Sequence, residues 1–431
     1  MTTFITRGSR TYLKANLALF FAGFVTFSTI YMFQPLFPSL VEEFGVSPAI
    51  ASLSLSFATF ALAISLPISG SLSDAWGRRG IMTIALLLAA TLALVSAVDI
   101  PFSVLLCVRL VQGVVLAGVP AVAMAYLNEE IEPGALGSAM GLYIAGNAFG
   151  GMTGRILTIL LTDLFSWRHA VAGIALVSLL LAILFLLLLP PSRNFQRRPL
   201  HLVPLTLSLL SHLRDPGLQC LFFLAFACMG GFVTLYNYVT FRLLGPGFDL
   251  SQSQVAFIFL AYAFGGCGSS VIGRLVDRYG RGRVLFNSLA IMAAGALLTL
   301  PFELYAVILG IVVFTIGFFG VHAIASAWVG SLAGEARGQA SSLYLFCYYL
   351  GSSLSGTSGG FFYAAWGWQG VVVLIMLLIG TALLAGLRLR GLQTCTRRDR
   401  VMPDQASSPG GEPVAARLWP DLKLRKTSNQ I

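Results

Sequence analysis

Three side chains stand where chemistry is expensive: Arg109, Arg155 and His322 each lie inside a long apolar run. A guanidinium deep in a bilayer costs roughly 2.5 kcal/mol or more unless it faces protein or water. Such a residue binds an anion, takes part in coupling, or cross-links helices. Arg109 has Gln112 within a turn and almost no carboxylate in any run to pair with. Its candidate partners are backbone carbonyls, Gln112 or an anionic substrate. Arg155 follows Gly151 by one turn on a face of small residues, where exposure to a cavity is expected. His322 could carry a proton, since an ordinary imidazole titrates near neutral pH, or could simply be hydrogen-bonded within the bundle. Gln34, Asn147, Asn237 and Tyr31 are further candidates for a polar cavity wall, with Tyr143, Tyr236 and Tyr344 as aromatic support.

A second set of charges sits in short breaks between apolar runs. Gly70, Asp74, Gly77, Arg78 and Arg79 form the frame G-x-L-x-D-x-x-G-R, and Gly273, Asp277, Gly280 and Arg281 repeat it about 200 residues later. The glycines suit a tight turn between helices. Asp74 can pair with Arg78 or with a helix N-terminus, which favours anions. Such a pair, formed in one conformation and broken in another, would act as a latch; a static loop clamp is the plainer reading. Gly146, Gly150 and Gly154 recur every four residues and offer a flat stripe for a neighbouring helix. Gly113 and Gly151 belong to the same group of small seam residues.

The elements that must position these residues are apolar helices. Of 431 residues, 57% are hydrophobic and only 10% are charged, with mean hydropathy +0.84. Soluble domains carry about a quarter charged residues. A bilayer crossing needs about 20 apolar residues, and lipid-exposed loops cannot survive at that depth. About twelve such runs are present, near 15–36, 49–68, 81–98, 102–127, 135–161, 169–189, 218–241, 254–272, 284–300, 305–332, 339–362 and 370–387. The expected fold is an all-α polytopic membrane protein with twelve transmembrane helices in two pseudo-symmetric six-helix bundles. Its expected divisions are an N-terminus at 1–14, bundles at 15–190 and 218–388, a linker at 191–217, and a disordered tail at 389–431. Thr29-Ile30-Tyr31 matches Thr234-Leu235-Tyr236, and Trp167 matches Trp368, so the halves repeat in one orientation about an axis along the membrane normal.

The net charge of +10 is spread over alternate loops and the tail. That is the positive-inside pattern rather than a nucleic-acid footprint, and it sets both termini in the cytoplasm. No G-x-x-x-x-G-K-[ST] loop occurs, so no P-loop ATPase is expected. No nucleophile–base constellation or metal-ligand spacing appears, and neither an enzyme nor a cofactor is expected. Cys107, Cys220, Cys228, Cys267 and Cys347 lie in apolar runs and read as packed free thiols.

These motifs resemble those of the major facilitator superfamily. Gly70–Arg79 and its copy are similar to the signature loop, and Arg109-Leu110-Val111-Gln112-Gly113 to the fourth-helix R-x-x-Q-G motif. Gly146–Arg155 resembles the fifth-helix motif of the drug-antiporter branch, without its usual proline. The text GLYIAGNAFGGMTGR is similar to that of the drug- and arabinose-efflux-like branch with the YnfM-type bacterial inner-membrane transporters. The resemblance implies a monomeric secondary transporter in the bacterial inner membrane, working by alternating access on a small molecule. Its leading implied function is proton-coupled efflux, with protons as the coupling ion. The alternative is an importer or facilitator of a small anionic metabolite, which Arg109 and Arg155 in a carboxylate-poor cavity favour. It also implies that the glycine seam seals or slides between the halves. An arginine usual before the fifth helix is replaced by Pro133-Gly134-Ala135, while Arg337 keeps it in the second half, so an asymmetric gate is expected.

Overall fold

The computed structural model describes residues 4–195, 197, 209–333 and 337–401. Among them the chain is built of helices, with one isolated parallel bridge between Ile5 and Ile131. Ten helices are long and apolar enough to cross a membrane. One of these, Gly338–Leu392, is two spans in sequence: Trp366 and Gly367 leave helical geometry inside the continuous stretch Arg337–Val401. A further span runs from Gln252 through a 3-10 turn to Ala261–Tyr279. It reads as less apolar because Arg274, Asp277 and Arg278 crowd its end. Twelve spans result.

Local sequence explains where they begin and end. Ser9, Ser47, Ser166 and Asp215 cap helices by accepting from backbone N–H groups. Ser251 and Gln254 form a full capping box, which satisfies two orphan donors. Pro48, Pro133 and Pro216 open spans at a position where the missing N–H costs nothing. Gly77 (φ 100°, ψ 143°) and Gly280 (φ 83°, ψ 149°) end the second and eighth spans in the same backbone conformation. That region is essentially restricted to glycine, which explains the invariant spacing of the two signature loops.

Several boundaries differ from the sequence reading. The first span is Arg10–Tyr31, continued by a 3-10 turn at Gln34–Leu36 and a helix at Phe37–Phe44. Glu42 and Glu43 lie in that last helix. The fourth span breaks into Phe102–Leu116 and Pro120–Glu130, because Pro120 starts a new helix. The last helix continues past Leu389 to Val401, and residues 402–431 lie outside the described part. In the linker, residues 209–214 are helical. Cys107 is exposed, while Cys220 and Cys228 are buried as free thiols.

The two halves repeat in three dimensions. A Cβ on Gly146 of the fifth span would sit 2.5 Å from the Phe20 carbonyl oxygen of the first. A Cβ on Gly351 of the eleventh would sit 2.1 Å from that of Phe226 in the seventh. The halves meet at the span ends far from the signature loops. Thr59 and Ser353 hydroxyls lie 2.7 Å apart, and Thr357 donates to Ser56 at 2.8 Å. Ser253 donates to Asp163, and Gly360 presses on Ala49 so closely that a Cβ would meet its Cα at 2.4 Å. Towards the signature loops the packing is open: among the described residues no atom of another element lies within 4 Å of a Cβ built on Gly137 or Gly141 of the fifth span.

Candidate functional site

Arg155 sits where the closed end meets the open cleft. It is 2% exposed. Its Nε donates to Gln34 Oε1 at 2.6 Å and its Nη1 to the Gly151 carbonyl at 2.6 Å. The Gly151 bond draws the guanidinium one turn back along its own helix. A Cβ at Gly151 would lie 3.3 Å from Nη1, a tight approach that the glycine relieves. The guanidinium lies 4.1 Å from the Tyr31 ring centroid, 4.7 Å from Tyr262 and 5.7 Å from Phe259. Two of its five N–H donors are used; the second Nη1 hydrogen and both on Nη2 have no hydrogen-bond partner among the described residues. A charge held by cation–π contacts alone on its outer edge is poised for an anion.

Gln34 extends this contact across the halves. Its Nε2 donates to Asn237 Oδ1 at 2.7 Å, and Asn237 Nδ2 reaches the Gly356 carbonyl at 3.3 Å. The sequence candidates Arg155, Gln34, Asn237 and Tyr31 thus form one cluster. Tyr262 and Phe259 complete it and were missed, because aromatics are too common in apolar spans to stand out.

Arg109 is placed differently. It is fully buried and donates from Nε to the Ser54 carbonyl (2.8 Å), from Nη1 to that of Thr29 (2.9 Å), and from Nη2 to that of Ile30 (2.6 Å). Nη1 also donates to Gln112 Oε1, and Gln112 Nε2 donates to the Ala89 carbonyl at 2.8 Å. Phe33 covers its face at 4.6 Å. Of the partners open in the sequence, carbonyls and Gln112 are the ones present. Arg109 and Gln112 tie together the first four spans and leave the cavity cluster to Arg155.

His322 lies across the cleft in the tenth span. Its Nδ1 is 2.9 Å from the Tyr344 hydroxyl, and its ring stacks on Phe318 at 6.0 Å and lies 4.9 Å from Tyr348. Rings connect it to the arginine cluster: Phe318 stacks on Phe232 at 3.8 Å, and Phe232 meets Tyr262 at 5.4 Å. Asn147 is part-exposed two turns from Arg155, and its Oδ1 has no partner. Tyr143, one turn further, is buried with an unpartnered hydroxyl.

The family model of the Major Facilitator Superfamily matches residues 19–356 and 237–427. The chain belongs to that superfamily. It is 46% identical to the inner membrane transport protein YnfM of Escherichia coli (strain K12), over 90% of this chain and 93% of that one. It is 47% identical to the MFS-type transporter YybF of Bacillus subtilis (strain 168), over 95% and 99%. Among solved structures it resembles a bacterial homologue of the human lysosomal transporter Spinster in an inward-facing, unoccupied conformation. The TM-score is 0.71 at 16% identity, covering 89% of this chain and 98% of that one. The protein is therefore a multi-pass membrane transporter and not an enzyme.

The superfamily's signature loops are unequal here. Arg78 pairs with Asp74 at 2.5 Å and with Glu129 at 2.6 Å, bonds Ser73, and lies over Phe195. Arg79 donates to the Leu186 carbonyl at 2.7 Å. In the second copy Arg281 donates to Ser331 at 2.7 Å, and Asp277 is exposed. Ser331 occupies the place that Glu129 holds in the first half. The two loops thus differ through Glu129, while the gate expected from Arg337 falls on a side chain that, with Glu335 and Ala336, lies outside the described residues. Gly70 and Gly273 sit inside helices one turn before their aspartates.

The glycine seam requires a correction. Gly146, Gly150 and Gly154 press on Phe20, Phe24 and Ser28 of the first span, and Gly113 on Ala58 of the second. The seam welds helices within the first half and does not run between the halves. Contact between the halves includes instead the hydroxyls of the second and eleventh spans, beside the Gln34–Asn237 and Ser253–Asp163 bonds.

Proposed function

We propose that the protein moves a small organic anion across the bacterial inner membrane by alternating access, with Arg155 as the counter-charge. One observation carries this reading: a buried guanidinium with three unpaired N–H groups lies where the halves meet. Two further features support it. No carboxylate among the described residues pairs with Arg155, and the described Asp and Glu side chains lie at or near span ends. Substrates of such parallel repeats bind near the midplane between the halves. The open end carries the basic signature loops, so by the positive-inside bias it faces the cytoplasm, with both termini on that side. A reporter fused after Leu389 that reads periplasmic would overturn that orientation. The direct test reconstitutes the purified protein, as a monomer, in liposomes and follows a panel of organic anions. Arg155→Gln should abolish transport at normal folding; unchanged transport removes Arg155 from the site.

A second reading is proton-coupled efflux. It is favoured by His322, a part-exposed imidazole bonded to Tyr344 beside the cleft. Imidazole can exchange a proton near neutral pH. In inverted vesicles, transport without any change in lumenal pH would refute it.

A further inference from the structure

The walls around Arg155 restrict what the anion can be. Its guanidinium lies between the tyrosine rings of the first and eighth spans, at 4.1 Å and 4.7 Å from their centroids. From Tyr262 an unbroken series of ring contacts runs through Phe232 and Phe318 to His322 and Tyr348. Phe232 and Phe318 are buried, while Tyr262, His322 and Tyr348 are part-exposed, so the wall is accessible at those three rings. Aromatic pairs gain from offset or edge-to-face contact beyond the area they bury. A flat ring entering the cleft meets the part-exposed rings of the second half, whereas a saturated ring gains only the burial.

The far end is polar. The bond from Arg155 Nη1 to the Gly151 carbonyl brings the guanidinium to the level of Gly151. Asn147 follows on the same face one turn lower, about 6 Å along the axis. Its Oδ1 is buried against Gly23 of the first span while the side chain is part-exposed, which leaves Nδ2 as the amide atom that can meet a ligand. That separation matches the reach across one benzene ring. Asn237 and Gln34 cannot serve in its place, because each is engaged in the bridge between the halves.

We infer that the ligand of this site is an aromatic carboxylate carrying a polar hydrogen-bonding group at the far end of its ring. The carboxylate takes the free Nη1 and Nη2 hydrogens of Arg155, the ring lies against Tyr262 and its neighbours, and the distal group accepts from Asn147 Nδ2. This rests on the proposal that Arg155 binds the transported anion, and adds the ring and the distal group to it.

Thermal stabilisation of the purified full-length protein in detergent tests it with four probes: 4-hydroxybenzoate, benzoate, cyclohexanecarboxylate and the neutral 4-hydroxybenzyl alcohol. The expected affinity order is 4-hydroxybenzoate, then benzoate, then cyclohexanecarboxylate, with no binding of the alcohol. The aromatic contact should separate benzoate from cyclohexanecarboxylate by about two- to twelvefold. Tyr262→Leu should erase that separation while leaving cyclohexanecarboxylate binding in place. Asn147→Leu should erase the advantage of 4-hydroxybenzoate over benzoate. Equal binding of the two ring types overturns this inference and leaves the anion site standing. Alcohol binding as tight as that of the acid overturns the anion site as well, and binding of none of the four at millimolar concentration refutes the aromatic assignment. The Tyr262 and Asn147 variants lie outside the Arg109 clamp, and their melting without ligand reports that they fold.

Discussion

Asn237→Leu perturbs the contact on which closure of the halves depends. The substitution removes the 2.7 Å bond from Gln34 and leaves Gln34 Nε2 buried without that acceptor. In the alternative conformation, with this end open, water would replace it. A hydrogen bond between membrane helices contributes about 0.6 kcal/mol on average and up to about 1.7 kcal/mol. At these values the ratio of closed to open protein at this end falls roughly 3- to 18-fold. Adding Thr59→Val and Thr357→Val removes the two hydroxyl bridges of the second and eleventh spans. If the three sites act independently, the total reaches about 2–5 kcal/mol, enough to invert the population. Distances between paired spin labels read this directly. Leu164 and Phe257 are exposed at the closed end, and Trp76 and Tyr279 at the signature-loop end. The triple variant should lengthen the first pair and shorten the second. Lengthening of the first pair without shortening of the second would mean loosening rather than alternation. Unchanged distributions at both ends would refute the assignment of these contacts as the closing element.

Other variants separate structure from transport. Arg109→Met loses four hydrogen bonds and should lower unfolding stability by at least about 2 kcal/mol at the average value per bond, read as a drop in melting temperature in detergent. Arg155→Met loses two and should affect transport far more than melting. Gly77→Ala and Gly280→Ala should each cost about 1–3 kcal/mol through backbone strain alone, since a Cβ meets nothing closer than 4.0 Å at Gly77 and nothing within 4 Å at Gly280. Folded yield on size exclusion checks this. Gly150→Val should block folding, because even a Cβ would lie 2.3 Å from the Phe24 carbonyl oxygen. Arg78→Ala should reduce transport more than Arg281→Ala, as among the described residues Arg78 holds Asp74 and Glu129 while Arg281 holds Ser331.

Much of the architecture was legible because the physics that sets it is local. Apolar runs of bilayer length give the spans, and two identical glycine-terminated loops give the repeat. The central cluster was partly legible for the same reason: Arg155 and Gln34 are polar where polarity is costly, and their types alone single them out. Which carbonyls hold Arg109 was not legible, since they belong to Thr29, Ile30 and Ser54, and every residue carries a carbonyl. Tyr262 escaped because nothing separates one aromatic from others in a span. Glu129 carries no local signal, because its ion pair with Arg78 joins residues 51 apart in sequence. The glycine stripe identified a close helix contact correctly, but a stripe does not say which neighbour fills it. The hydroxyls Ser56, Thr59, Ser353 and Thr357 carry no sequence signal, because serine and threonine in a span usually bond their own helix.

The central claim is that Arg155 holds the transported anion between the halves. Cryo-electron microscopy of the protein in lipid nanodiscs with 4-hydroxybenzoate tests it most directly. The account predicts the carboxylate within hydrogen-bond distance of Arg155 Nη2, beside Tyr31 and Tyr262. A ligand seated elsewhere, with those Arg155 hydrogens still unpaired, would contradict it.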